Sequence, residues 1–257
     1  MRFYLTLYRM ALLSRAEYRV DFVVGVLTAI AMQLAAFAFF WVVMTHAPGL
    51  GGWTSAQVLA LFGLTAIVLS LSEAFFNGIW WLPWYVLDGQ LDRLLVYPVR
   101  SLLFVLLSRP ELHSIGNFLT GVATLGVAWS MMGAPAWALV LVPLWVVSGA
   151  IIYTAGLVLM GSVTLKVTGP WTLHMMAIHH LLNASRYPAT IYPRWLGALI
   201  LFVLPFGAAI FFPVSWLRGE GSLAVAVLAP PVAATIMTAL AFKGWDFALR
   251  SYQSTGS

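Results

Sequence analysis

From Phe22 to Met44 the chain carries no charged residue. At 1.5 Å per residue such a run reaches roughly 35 Å as a helix, enough for a hydrocarbon core of about 30 Å with some tilt. The pattern recurs in Ser114–Met132, Trp137–Leu165 and Leu223–Phe242, and in Ser55–Trp81 with Glu73 as its one charge. Of the 257 residues 62% are hydrophobic and 8% charged, against roughly 25% charged in soluble domains. Too few polar side chains exist to cover a water-exposed surface, and the chain reads as an all-α polytopic membrane protein. It has no cysteine, so disulfides and thiolate metal sites are excluded. The net charge of +5 is spread along the chain with no Lys/Arg-rich run, which argues against nucleic acid as a partner. The basic residues read instead as membrane topology.

Residues 1–20 precede the first span. Phe3, Leu7, Met10 and Tyr18 share one helical side, with Arg2 and Arg9 nearly opposite, the pattern of a helix lying in the membrane interface. A cleaved signal peptide is disfavoured: Arg15, Glu17 and Arg19 lead into an apolar run longer than a signal core of about 7 to 15 residues, with no A-x-A site after it. His46, Pro48 and the glycines at 49, 51 and 52 end the first span. The second contains Ser70, Glu73 and Asn77, which share a face at i, i+3 and i+7 and must meet protein or water. Glu73 is a carboxylate well inside an apolar segment, a candidate for the pathway or the conformational cycle. The plainer alternative is a protonated or hydrogen-bonded carboxyl near the inner interface.

Residues 84–100, WYVLDGQLDRLLVYPVR, form a charged island between apolar blocks. Leu91, Leu94 and Leu95 stand at i, i+3 and i+4, so a short helix places them on one face and exposes Asp92 and Arg93 beside it. Gly89 supplies a permissive turn before that helix, and Pro98, lacking an N–H, stops it. Ser101–His113 mixes Arg109, Pro110 and Glu111 with leucines and reads as a segment at the same membrane face. Gly133, Ala134 and Pro135 predict a tight turn after the third span. Gly149, Gly156 and Gly161 predict close helix approach along the fourth, which Lys166 closes. Thr168–Arg186 is moderately apolar and carries His174, His179, His180 and Asn183. Trp195–Leu217 is strongly apolar but broken by Pro205 and Pro213, so only one of the two need be a full span. Basic residues alone favour the second, since Arg186 and Arg194 then lie inside with Lys166. In the last span Pro230 and Pro231 predict a kink.

The spacing G-x-L-D-x-x-L-x-x-P of Gly89, Leu91, Asp92, Leu95 and Pro98 resembles the coupling segment of ABC type-2 export permeases, with Tyr97 where that family often has arginine. The run YPATIYPRWLGALILFVLPFGAAIFFP and the ending GWDFALRSYQSTGS are similar to that family's proline-punctuated segment and short tail. The resemblance implies a single permease domain, 1–257, of six transmembrane helices, with Thr168–Arg186 as the fifth, residues 187–217 as an outer re-entrant hairpin, and both termini in the cytoplasm. It also implies a bacterial inner (plasma) membrane location, a second permease chain, identical or related, and a dimer of ABC ATPase subunits that hold the ATP and magnesium. Coupling then falls to Gly89, Leu91, Asp92, Leu94, Leu95 and Pro98. The chain contains no G-x-x-x-x-G-K-[ST] phosphate loop, so hydrolysis is expected in the partner and no cofactor in this chain. His179 and His180 are adjacent and point about 100° apart, a poor metal pair. Two other readings stay open: an integral-membrane enzyme acting on lipids through Glu73 and the histidines, and a proton-coupled secondary transporter using Glu73.

Overall fold

A computed structural model describes residues 2–16, 19–46, 50–165 and 171–252. Glu17, Tyr18, Pro48, Gly49, Lys166 and Thr168, named above, lie outside these. All regular secondary structure among the described residues is helical, with no strand. Among them five helices are long and apolar enough to cross a membrane, or six if one bent pair counts as a single span. In hydrocarbon only a helix satisfies every backbone group within its own segment, which is why these runs adopt nothing else.

The first helix, α1 (Arg2–Ala16), is joined closely to α2 (Arg19–His46). On α1, Leu7 turns toward the protein together with Tyr4, Tyr8 and Ala11, while Phe3 and Met10 stay exposed. Tyr8 donates its hydroxyl to the Ala74 carbonyl at 3.0 Å. The first span is α2, and the second begins as α3 (Ser55–Phe76), opened by a reciprocal Thr54–Gln57 cap. At Asn77 it tightens into a 3₁₀ turn through Trp81 and continues as α4 (Leu82–Leu87).

The island follows as α5 (Gln90–Val96), then α6 (Ser101–Leu107). Next come α7 (Ser114–Met132), a 3₁₀ segment Ala136–Leu141, and α8 (Val142–Thr164). Gly133 between them takes φ 62°, the left-handed conformation that the expected tight turn requires. The core is built on α3, which is buried along most of its length between α7 and α8. Close approach explains the packing: a Cβ on Gly149 would lie 2.7 Å from Val68, and one on Gly161 3.1 Å from Leu82. By contrast α2 packs chiefly on α7 and leaves most of its apolar surface uncovered.

After α9 (Trp171–Ala184) the chain forms α10 (Arg194–Ala198), a π-helical turn through Val203, a break at Leu204–Pro205, and then α11 (Phe206–Ala209) and α12 (Phe211–Leu217). The two limbs meet at 70°. Both ends of this segment return to one end of the bundle. Thr190 and Ile191 sit against the Gly51 backbone, and Arg218 donates to the Gly52 carbonyl at 3.3 Å. The two ends of the bent pair therefore lie together at one end of the bundle, the arrangement expected of a re-entrant hairpin rather than of a straight crossing.

The last helix, α13 (Leu223–Arg250), runs unbroken through Pro230 and Pro231. Pro230 has no N–H for the carbonyl four residues back, Ala226. That carbonyl accepts the Trp145 indole N–H at 2.8 Å instead, so the oxygen freed by Pro230 is not left orphaned in the apolar core.

Candidate functional site

Two places gather the polar residues, the island and a cleft above it. At the island, Asp88 N–H donates to Trp84 O at 2.9 Å to close α4, and Gly89 takes φ 62°. A side chain there would be strained, which accounts for glycine. Tyr97 is extended (φ −81°, ψ 146°), as the residue before a proline prefers, and this ends α5.

The three leucines do not form one outward face. Leu91 is fully buried and Leu94 nearly so, both inside this chain's own core, whereas Leu95 is 43% exposed. The expected docking face is corrected accordingly: a seven-residue helix anchored at only one end needs inward leucines of its own to hold it against the bundle. What projects outward is Arg93, Leu95, Val96, Tyr97 and Pro98, with Val96 85% exposed. Three further contacts brace this knob. Arg100 N–H donates to the Tyr4 hydroxyl on α1 at 2.8 Å. Trp245 of α13 donates its indole N–H to Ser101 at 3.2 Å. Asp92, half-buried, lies beside Tyr252, whose phenol is pushed up to about 12 by burial and by that negative charge.

The cleft, of about 470 Å³, lies between α2, α3, α7 and α9. Glu73, Asn77 and Asn117 line it together. The Glu73 backbone carbonyl accepts from Glu111 N–H at 3.1 Å. The Glu111 carboxylate in turn meets His113 Nδ1 at 2.9 Å and receives the Asn77 amide at 3.5 Å. On the facing wall His179 shares a 2.9 Å hydrogen bond with the Tyr153 hydroxyl and stands edge-on to Trp80. This is a polar constellation of two carboxylates, two amides and imidazoles opening into apolar surroundings.

The stripe expected from sequence is brought into the cleft only in part. Ser70 is buried above it and spends its hydroxyl on Ile67 O at 2.8 Å. Glu111, His113 and Asn117 are the participants that sequence reading missed. Their signal was present as a carboxylate, an imidazole and an amide at the start of the third span, but nothing in the sequence sets that start against Glu73.

The described architecture, an all-helical bundle with a braced knob and a membrane cleft, agrees with a comparison of the sequence with known families. The family described as ABC-2 family transporter protein matches residues 30–256. Curated proteins and solved structures yield no match.

Proposed function

Since the chain belongs to the ABC-2 transporter family and is a multi-pass membrane permease of it, we propose that it is the membrane subunit of an ATP-driven exporter. It works with a second permease chain and a dimer of ATPase subunits, which bind the ATP and magnesium. In this reading the membrane is a bacterial inner membrane with both termini in the cytoplasm, and the substrate crosses by alternating access.

The observation that carries the proposal is the island. It is an exposed knob on a rigid base, at the end of the bundle opposite the Gly51–Thr190 contact. Gly89 and Pro98 set its turns, Leu91 and Leu94 seat it, Asp92 braces it against the C-terminal end, and Leu95, Val96 and Tyr97 present it to the ATPase. Pressure on the knob passes along α3 through the 3₁₀ turn at Asn77, and into α1 through Tyr4 and Arg100. The Glu73 cleft lies directly above that turn, where a change in the α3–α7 spacing alters it.

Tyr97→Asp tests this. Tyr97 is 63% exposed, so the variant should fold and insert as the wild type does while losing ATPase co-purification and transport-linked hydrolysis by about tenfold or more, the loss of one well-packed interface aromatic. Full co-elution and full transport in Tyr97→Asp and Val96→Asp alike would remove the island from the coupling role.

A further inference from the structure

Below α1 lies a groove separate from the Glu73 cleft. It has a volume of about 660 Å³, between α1, the start of α2, α4 and α6, within the roughly 300–1,000 Å³ of small-ligand sites. Its apolar wall includes Leu7, Ala11 and Phe104. Arg109 stands in it with its guanidinium 4.2 Å from the Trp81 ring centre and 5.8 Å from that of Tyr85. Among the described residues no carboxylate lies within ion-pair distance of Arg109, and it is the one cation among those lining the groove. Asp21 lines the same groove, 72% exposed, and only 3.8 Å of weak contact ties it to His113.

We propose that this groove binds the headgroup of an aminophospholipid from the leaflet on the island side, its phosphate on Arg109 and its amine toward Asp21. The shared chemistry is a phosphate oxygen meeting a guanidinium, whose planar fork matches phosphate geometry. Stacking on Trp81 and Tyr85 fixes the plane of that fork without consuming its N–H donors. A purely anionic ligand would face repulsion from Asp21, whereas a headgroup with both charges satisfies both side chains. The position suits a lipid. The groove runs under α1, whose Phe3, Met10 and Leu13 are exposed as the apolar residues of an interfacial helix would be, and the groove has an apolar wall beside its polar end, as the junction of headgroup and acyl chain requires.

The test is native mass spectrometry of the purified full-length permease in detergent, titrated separately with phosphatidylethanolamine, phosphatidylglycerol and inorganic phosphate. Phosphatidylethanolamine should be retained better than phosphatidylglycerol, and millimolar inorganic phosphate should not displace it. Arg109→Gln should weaken retention about tenfold, as loss of a charge-assisted phosphate contact does, and Arg109→Lys should lose less. Asp21→Asn should bring phosphatidylethanolamine down to the level of phosphatidylglycerol. Ala11→Trp fills the groove without changing a charge and should block both lipids, which keeps the proposal open to refutation even if Arg109→Gln does not fold. Unchanged retention in Arg109→Gln or in Ala11→Trp overturns it. So does equal retention of the two lipids by the wild type, and displacement by inorganic phosphate would mark a free-phosphate site instead.

Discussion

Glu73 illustrates how far a single residue can be read. Its place in an apolar segment marked it as costly and therefore as functional or paired, since a charge at such depth costs a few kcal/mol on insertion scales. The sequence could not supply its polar neighbours, because Asn117 is more than forty positions away and meets Glu73 only when α7 packs on α3. Glu73→Gln preserves volume and the capacity to hydrogen-bond its polar neighbours while removing the negative charge. We expect a folded protein whose transport is slowed about tenfold or more, a barrier change of roughly 1.4 kcal/mol, measured in vesicles against the wild-type rate; an unchanged rate would make the residue structural. Leu91 teaches the opposite lesson. Its i, i+3, i+4 pattern correctly announced a helix with an apolar face, yet periodicity does not say whether that face meets a partner chain or the helix's own bundle. Leu91→Ala should therefore destabilise the permease by about 2–5 kcal/mol, the usual range for a buried leucine, seen as a lowered melting temperature in detergent before any loss of ATPase binding.

Elements were more legible than their ends. The third span, Ser114–Met132, is α7 residue for residue, because an uninterrupted apolar run between polar boundaries leaves a helix few alternatives. The second span was harder. Its apolar run continues past Phe76, but the helix tightens to 3₁₀ at Asn77 and leaves the Ala74 carbonyl to Tyr8, a long-range contact with no local signature. The prolines of α13 announce a carbonyl in need of a donor, but not the donor itself: Trp145 supplies it to Ala226 from another helix. Basic residues and family resemblance disagreed over 187–217, and the contacts of Gly51 and Gly52 with its two ends are those of the hairpin arrangement. A cysteine at Ala189 should accordingly react with a membrane-impermeant maleimide from the same side as one at Gly51, and one at Gln90 only from the other side. Labelling of Ala189 together with Gln90 would refute the hairpin.

At the scale of the whole molecule, composition alone fixed the class, since 8% charged residues cannot make a water-soluble surface. Its working parts are less visible in composition, because they depend on which helices are held and which are not. The contact between Trp145 and the carbonyl vacated by Pro230 bears on this. It acts as a detent: if α13 slid along α8 by even one residue, a peptide oxygen would face hydrocarbon with no donor, a loss of about 1–3 kcal/mol. The other end of α13 is pinned through Trp245 to Ser101. Axial sliding in that half of the bundle is thus disfavoured at both ends of α13. The sparsely gripped pair α1 and α2, held chiefly on α3, α6 and α7, is freer to move in any transport cycle.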